Sequence, residues 1–361
     1  MTARGTPTLP AVGLWRSADL PHTDSFAYDL DPDELGVLTD AAQRIHAEGR
    51  NVEKIVSDEL PLGPLRPRID ELRRELMQGR GLVLLRGFPV DRFPRGVVEL
   101  LFWGVGLGLG TAVSQSVMGE RLGHVVDVTA EDPHARAYRN RSELIPHSDP
   151  ADILSFLCLH PARSGGVSRF VNALAIHEAL RRERPDALDL LYRGFSYHRV
   201  GEQGPEDPPI TPHRVPVFSQ CGGQVSCRLI RQLIDIAADE DPGLSPTAAE
   251  REALDLIEAH AAHPDFSVEF TLGPGEAIFA NNFTTLHARS AFEDYSELEK
   301  KRHLLRLWLS AHPPRPVLPE IEIWEGEPGI PAQPGRAPSY AGISKYDLEH
   351  ALSPEESRDR G

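Results

Sequence analysis

The middle of the chain consists of short apolar runs that are separated by glycine and proline. Several runs are rich in β-branched and aromatic residues and are bounded by turn residues, a pattern that predicts β-strands. So many short strands predict a fold that is mainly β with flanking helices, in the form of a jelly roll or double-sheet barrel. The predicted strands cover residues 82–88, 152–159, 167–172, 215–218, 224–229, 266–272, 276–281 and 302–310.

Three helices are predicted beside these strands. Residues 68–79 place three leucine and isoleucine side chains on one helical face before two glycines end the helix. A second helix is predicted over 94–106, and its glycine-rich end indicates close packing and a turn, because no Gly-Lys-Ser/Thr follows to bind phosphate. The third covers 245–262, with Ser245 as N-cap and a proline at the first helical position.

The composition of the chain changes towards both ends. Residues 1–65 are rich in Asp, Pro and Ala, and we expect them to form an N-terminal surface segment packed on the core. Residues 66–312 are predicted to form the catalytic core, and residues 313–361 a Pro-rich C-terminal extension. The polar stretch 201–213 is long enough to form a lid over a site, with a disordered surface loop as the alternative.

Composition and charge restrict the class of protein. The chain has 361 residues, 40% of them hydrophobic and 25% charged, which is sufficient for a sizeable core. A formal net charge of −16 argues against a nucleic-acid partner, because such binding depends on clustered Lys and Arg. Three cysteines favour the cytoplasm over a disulfide-stapled secreted scaffold. No run approaches the roughly 20 apolar residues that span a bilayer, so no membrane association is predicted. The sequence leaves a monomer and a homo-oligomer equally open.

A His-x-Asp sequence is the first candidate for chemistry. His147 and Asp149 stand directly before the long apolar run 152–159. In a strand, residues two apart point to the same face, so these two can offer an imidazole and a carboxylate to one metal. A single His-x-Asp occurs often by chance, and a solvated loop histidine would give the same pattern.

A third ligand is available in the second half of the chain. His287 follows a predicted turn and strand and lies near a strand end. Two histidines and one carboxylate on one face of an iron leave the other positions open for a bidentate co-substrate and dioxygen, as in non-haem Fe(II) oxygenases. Taken alone, His287 could equally be a partly buried histidine that is bonded to a backbone carbonyl.

The predicted strand 302–310 begins fifteen residues after His287 and alternates between two faces. One face carries Arg302, Arg306 and Trp308, while the other carries leucines. Burying a guanidinium group is costly unless an anion meets it, and Arg binds a carboxylate in a planar, bidentate manner. A dicarboxylate co-substrate would supply such an anion. The alternative is that both arginines pair with acidic side chains, in a helix or at a surface.

Taken together, the motifs resemble those of the TauD/TfdA family of taurine-dioxygenase-like enzymes. Their order is His-x-Asp, Gly-Gly-x-Ser/Thr-x-x-x-Asn, Asn-x-x-x-x-His and Arg-x-x-x-Arg, and the resemblance covers about residues 80–312. It implies a double-stranded β-helix of the cupin-like kind, with the metal at one mouth of the barrel and helices packed outside. It also implies the cofactors Fe(II) and 2-oxoglutarate.

The resemblance assigns roles to individual residues. It implies that His147, Asp149 and His287 bind iron and that Arg302 binds the distal carboxylate of 2-oxoglutarate. Ser168 stands where the family usually has Thr, and its hydroxyl can donate a hydrogen bond to the same carboxylate. Arg306 matches a second arginine, which in several relatives meets an anionic group of the primary substrate.

The expected activity follows from this resemblance. The chain is expected to be a dioxygenase that uses O₂ to hydroxylate an unactivated C–H bond of a small anionic or amino-acid-like substrate, releasing succinate and CO₂. Asp149 favours this reaction over halide transfer, because halogenating relatives have a small residue there. Desaturation or cyclisation of a natural-product intermediate would use the same cofactors. Alternatives from other classes are a non-catalytic barrel that binds a metal or ligand, and a zinc hydrolase that has no use for Arg302.

Overall fold

The fold is described from a computed structural model, which covers residues 13–127, 140–324, 326 and 328–333. These residues form fifteen strands and seven α-helices. The strands are β1 (Ala27–Asp29), β2 (Leu82–Arg86), β3 (Gly110–Ala112), β4 (Leu122–Val126), β5 (Leu144–His147), β6 (Ile153–His160), β7 (Ser164–Gly165), β8 (Ser168–Asn172), β9 (Phe218–Cys221), β10 (Gln224–Cys227), β11 (Ser267–Phe270), β12 (Ala277–Asn281), β13 (Thr285–Arg289), β14 (Phe292–Glu293) and β15 (His303–Ala311). The helices are α1 (Pro32–Ala47), α2 (Arg66–Gln78), α3 (Arg95–Leu109), α4 (Ala173–Glu183), α5 (Pro185–Arg193), α6 (Arg231–Glu240) and α7 (Ala248–Ala262).

Two sheets carry most of the strands. The larger sheet has the order β1-β2-β12-β6-β15-β3, with β4 also paired to β15. The smaller sheet has the order β11-β8-β13-β5. Strand β1 runs parallel to β2, and the pairings that β12, β15 and β13 make with their neighbours are antiparallel. Two short ribbons, β9 with β10 and β7 with β14, lie outside these sheets.

The two sheets face each other across a shared apolar core. Strand β2 shows the alternation that this requires, because Leu82 and Leu84 pack into that core while Val83 and Leu85 pack on the opposite side. The residues of the shared core come from both sheets. From the larger sheet they include Leu82, Leu84, Val125, Cys158, Ile278, Ala280 and Leu304, and from the smaller sheet Phe170 and Val268.

Helices α1, α2 and α3 cover the outer side of the larger sheet. Their buried side chains form one cluster with Leu305, Leu307 and Leu309, the residues of β15 that point away from the other sheet. Glycines allow α3 to lie close to this strand, since a Cβ on Gly106 would stand only 2.6 Å from Cδ1 of Leu307. The predicted tight packing of the glycine-rich helix end is therefore confirmed.

A second helical layer covers the outer side of the smaller sheet. Helices α4, α5, α6 and α7 share a cluster with Val171 of β8 and Leu286 of β13. The same cluster contains Ile323, Trp324 and Ile330. The first part of the predicted C-terminal extension therefore contributes to the core, while residues 334–361 lie outside the described residues.

Most of the predicted elements are confirmed, with three corrections. The described helices contain more residues than the described strands, so the fold is mixed and not mainly β. The strand predicted at 215–218 is wrong, because β9 begins only at Phe218; Pro216 has no N–H to donate to a ladder. Ser245 is not an N-cap: Thr247 caps α7 in a capping box with Glu250, whose carboxylate accepts from the Thr247 N–H at 2.8 Å.

Among the described helices, none is both long enough and apolar enough to cross a lipid bilayer.

Candidate metal centre

Three side chains with metal-binding donor atoms converge on the smaller sheet. His147 ends β5 and pairs directly with His287 of β13, so the antiparallel register places the two imidazoles side by side, with ring centroids 4.1 Å apart. Asp149 follows two residues after β5. Its Oδ1 lies 3.8 Å from Nε2 of His147, and its Oδ2 lies 3.6 Å from Nε2 of His287. One donor atom from each residue lies within 4.8 Å of the others, and no second such cluster exists among the described residues.

The strand prediction for this motif was correct for His147 and wrong for Asp149. Because β5 ends at His147, the carboxylate does not reach the centre by strand alternation. It is placed by the turn that follows, where Ser148 exchanges hydrogen bonds with Leu229: its N–H donates to the Leu229 carbonyl, and its hydroxyl accepts from the Leu229 N–H. Leu229, two residues after the end of β10, therefore fixes this turn.

Both imidazoles are suited to ligate a metal. Nδ1 of His147 lies 2.8 Å from the carbonyl oxygen of Ile145. A hydrogen bond there places the proton on Nδ1 and leaves Nε2 with its lone pair, the usual arrangement for a histidine ligand. Burial lowers the pKa of His287 to about 3, so its ring is neutral near pH 7. A neutral ring is the form that binds metal.

The backbone of Asp149 is held by two side chains. Asn282 accepts from the Asp149 N–H at 3.1 Å, and its amide donates to the carbonyl oxygens of Asp149 and Ala151. Arg228, which is 1% exposed, also donates to the Asp149 carbonyl. Asn282 belongs to the Asn-x-x-x-x-His sequence, but its contact with Asp149 was not predicted. No sequence signal pointed to Arg228.

The carboxylate of Asp149 is held in its charged form. Burial alone raises its pKa, but interactions with His287, His147 and Arg306 and a hydrogen bond from Trp308 outweigh that effect, so the net pKa is lowered. The indole Nε1 donates to Oδ2 at 2.8 Å. An ionised carboxylate beside two imidazole side chains is the donor set that a divalent iron requires.

Arg302 and Ser168 line one cavity in the core between the sheets, together with Cys158, Gly166 and Leu304. Arg302 is 6% exposed, and burial lowers its pKa to about 10. No described residue accepts a hydrogen bond from its guanidinium, although the ring of Phe292 lies 5.2 Å from Cζ. A buried cation without an acceptor fits an anionic ligand.

Arg306 lies in β15, four residues after Arg302, and is also buried. Its Nε donates to Oε1 of Gln115 at 2.6 Å, and its Cζ lies 4.6 Å from the ring centroid of Trp308. Gln115 is fixed in turn, since its amide donates to the carbonyls of Arg121 and Arg306. The charge of Arg306 also contributes to lowering the pKa of Asp149, so the two groups lie near each other.

Sequence reasoning missed another buried arginine, Arg289. It lies two residues after His287 on β13 and pairs across the sheet with Ser168. Burial and the nearby Arg302 lower its pKa to about 10. Its Cζ lies 4.8 Å from the Phe292 ring, which Arg302 also contacts. The period-two spacing from His287 was the signal that could have indicated it.

The segment 201–213 is tied to its surroundings by hydrogen bonds. The buried Arg199 donates to the Pro208 carbonyl, and Gln333 donates to the carbonyls of Glu202 and Gln203. That this segment acts as a lid stays a prediction. Arg214, which directly follows this segment, donates to the Gly194 carbonyl and to the carboxylate of Glu250.

Comparison with known proteins supports one family. A model of the taurine catabolism dioxygenase TauD, TfdA family matches residues 49–308. The curated relative FR-33289 synthase of Streptomyces rubellomurinus (strain ATCC 31215) is 30% identical over 302 residues, which are 82% of this chain and 88% of the relative.

Two solved structures share the fold. Asparagine oxygenase in complex with Fe(II), 2S,3S-3-hydroxyasparagine and succinate has a TM-score of 0.61 and 17% identity, and the match covers 79% of this chain and 93% of that chain. The non-heme iron oxygenase OrfP in complex with Fe and alpha-ketoglutaric acid has a TM-score of 0.59 and 15% identity, with 78% and 93% covered.

Proposed function

The chain belongs to the taurine catabolism dioxygenase TauD, TfdA family, and we propose that it hydroxylates an unactivated C–H bond of a small anionic or amino-acid-like substrate. It is a 2-oxoglutarate-dependent dioxygenase that uses Fe(II). The observation that carries the proposal is the pairing of two imidazoles and a charged carboxylate with the buried Arg302, whose guanidinium has no hydrogen-bond acceptor among the described residues. When bound, iron and 2-oxoglutarate supply the oxidising power, with O₂ consumed and succinate and CO₂ released.

His147, Asp149 and His287 are proposed to hold the iron. The donor set fits a facial triad, because three ligands from two adjoining chain segments leave the remaining positions open. The hydrogen bond at Nδ1 of His147 and the side chains that clamp Asp149 keep these donors oriented before a metal arrives.

Arg302 and Ser168 are proposed to bind the distal carboxylate of 2-oxoglutarate. They line the same cavity, and the guanidinium can donate two parallel hydrogen bonds to a carboxylate while the serine hydroxyl donates a third. A carboxylate placed there would neutralise a buried charge whose pKa is lowered by desolvation.

Arg306 is proposed to bind an anionic group of the primary substrate. Gln115 and the face of Trp308 fix its guanidinium beside Asp149, so an anion held there would lie next to the metal ligands. The solved structure of asparagine oxygenase contains a hydroxylated amino acid, whose carboxylate is an anion of this kind. This likeness supports amino-acid-like substrates for the present chain.

The proposal also covers the fold, the domain organisation, the cellular compartment and the partners of the protein. We propose that the two facing sheets form a double-stranded β-helix, that residues 66–312 are the catalytic core, and that residues 1–65 and 313–361 are appendages packed on it. The free thiols of Cys158, Cys221 and Cys227 support a reducing cytoplasmic compartment. A small molecule and O₂, and neither nucleic acid nor a membrane, are the proposed partners, and self-association into a homo-oligomer is compatible with the site.

A succinate-release screen tests this function. Protein loaded with Fe(II) and 2-oxoglutarate is incubated in air with amino acids and other small organic anions, and succinate and products are quantified by mass spectrometry. The proposal expects one compound to raise succinate formation and to gain one oxygen atom in equal amount. A product that loses two hydrogens would contradict hydroxylation, and stimulation by cationic or neutral compounds alone would contradict the role of Arg306.

A further inference from the structure

Trp308 occupies a position that connects two parts of the site. It lies in β15 and is 3% exposed. The edge of its indole donates from Nε1 to Oδ2 of Asp149 at 2.8 Å. Its face lies 4.6 Å from Cζ of Arg306. One side chain therefore touches both the predicted metal carboxylate and the predicted substrate arginine.

The other contacts of Asp149 leave the orientation of its carboxylate undetermined. Asn282 and Arg228 bond to its backbone N–H and carbonyl, which fixes the main chain but not the rotation of the side chain. Trp308 donates directly to a carboxylate oxygen, with the geometry of a full hydrogen bond. The indole N–H can only donate, so its partner must be an acceptor, and here that acceptor is a carboxylate oxygen.

We propose that Trp308 is a positioning residue that orients Asp149 for the metal. The inference rests on the proposed role of Asp149 as an iron ligand. The indole N–H engages one carboxylate oxygen, which favours binding of the metal through a single oxygen of Asp149 over chelation through both. One-oxygen binding keeps the coordination positions that a bidentate co-substrate and dioxygen need. Partners of this kind, one step removed from the metal, commonly tune affinity by about 10–100-fold.

A purely structural role for the indole makes a different prediction. Buried tryptophans usually find an acceptor for their N–H, and this satisfies a desolvated donor wherever it occurs. Trp103 offers a matched comparison within the same chain. It is 1% exposed, and its Nε1 donates to the carbonyl of Ile55 at 3.0 Å, in the helical layer outside the larger sheet.

The test measures Co(II) binding, with Co(II) as a spectroscopic substitute for Fe(II), in Trp308→Phe, Trp103→Phe and the parent protein. Affinity is obtained by chelator competition, and the visible ligand-field spectrum reports coordination. Trp308→Phe is expected to weaken Co(II) binding by about 10–100-fold and to change the spectrum. Trp103→Phe is expected to lose a similar hydrogen bond without a change in either readout.

A second variant isolates the N–H group. Replacing Trp308 by benzothienylalanine keeps the size of the ring and removes only the donor, so it serves if Trp308→Phe does not fold, as judged by urea unfolding of the metal-free protein. It is expected to show the same loss of affinity. Parent-like affinity and spectrum in this isostere would overturn the inference.

The Asp149→Ala variant distinguishes a wrong role for Trp308 from a wrong metal site. If Asp149→Ala abolishes Co(II) binding while the benzothienylalanine protein binds normally, the iron site stands and only the role of Trp308 is refuted. If Asp149→Ala binds Co(II) as the parent does, the proposed site itself is wrong.

Discussion

Three buried arginines give the core between the sheets a positive character, although the chain as a whole carries a net charge of −16. Arg306 lies in β15, Arg302 directly precedes that strand, and Arg289 follows His287 on β13. Desolvation lowers the pKa of Arg289 and Arg302 to about 10 without removing their charge at neutral pH. Such charges are stabilised when an anionic ligand enters.

The first prediction concerns Arg302. Arg302→Ala should weaken 2-oxoglutarate binding by on the order of 100-fold, because a charge-assisted, bidentate contact with a buried carboxylate is lost. Fe(II) affinity should change far less, since Arg302 is not a proposed metal ligand. Anaerobic titrations of each ligand measure the two effects separately. Arg169→Ala is the control, because Arg169 pairs with Glu269 in an exposed position on β8. Unchanged 2-oxoglutarate affinity in Arg302→Ala would remove the assignment.

At the scale of single residues, the sequence indicated the side chains that could bind a metal or an anion better than the side chains that hold them in place. His147 and His287 could be singled out from residue type and spacing, and the structure brings both next to Asp149. The roles of Arg302 and Ser168 in binding 2-oxoglutarate were indicated by the resemblance to a family and stay predictions. Asn282 and Arg228 could not be connected to Asp149, because their contacts bridge 133 and 79 positions of sequence. Contacts of that kind depend on which strands become neighbours, and local periodicity carries no information about it.

At the scale of elements, Gly110, where α3 passes into β3, illustrates how closely β3 lies against β15. A Cβ on Gly110 would stand 2.2 Å from the carbonyl oxygen of Ser310, and a backbone atom cannot move aside as a side-chain end can. Gly36 in α1 has no atom within 4 Å of the same position. The two glycines therefore predict opposite responses to the same substitution.

The second prediction uses this pair. Gly110→Ala should lower the free energy of unfolding by about 3 kcal/mol or more, as expected for severe overpacking. Gly36→Ala should raise it by about 0.5–1 kcal/mol, because alanine is the better helix former. Urea denaturation of the metal-free proteins measures both. A Gly110→Ala protein as stable as the parent would show that β3 lies less closely against β15 than described.

The third prediction concerns Glu99 in α3. Burial raises the pKa of this carboxyl to about 7, against the partial compensation of Arg95 at 3.2 Å. Between the unfolded value near 4.5 and the folded value near 7, the folded state binds more protons, so this group makes stability fall as pH rises through that window. Glu99→Gln should remove this pH dependence. Relative to the parent, its free energy of unfolding should rise by on the order of 3 kcal/mol between pH 4.5 and 8.

Urea unfolding at pH 4.5, 6 and 8 provides the measurement for Glu99. Glu71→Gln, which alters a half-exposed glutamate of α2, controls for the removal of a charge. The gain should be confined to Glu99→Gln and should grow with pH. A parallel pH dependence in Glu99→Gln and the parent protein would mean that this carboxyl is ionised in the fold throughout.

Strongly patterned elements were the predictable ones. The apolar face of α2 and the alternation of β15 were sufficient to locate both. Helix α1 was missed because its segment is rich in Asp and Pro, yet Asp31 caps the helix and a proline occupies its first turn. Short strands such as β5 and β13 gave little signal, because a strand of four or five residues has few alternations to count.

At the scale of the whole molecule, the pairing of β5 with β13 makes the site. It joins residues 144–147 to residues 285–289 and sets the two histidines opposite each other. The order β11-β8-β13-β5 then adds Ser168 of β8 on the neighbouring strand. The resemblance to a family supplied this arrangement in outline, whereas the alternation of apolar residues alone predicted only that sheets would form.

The fourth prediction tests the central claim that His147, Asp149 and His287 hold iron with 2-oxoglutarate. Anaerobic addition of Fe(II) to protein with 2-oxoglutarate should produce a weak visible charge-transfer band, and admission of air with substrate should yield succinate. His147→Ala should lose both, while His263→Ala, which changes an exposed histidine, should retain both. If His147→Ala kept the band and full succinate formation, the metal would be bound elsewhere in the chain.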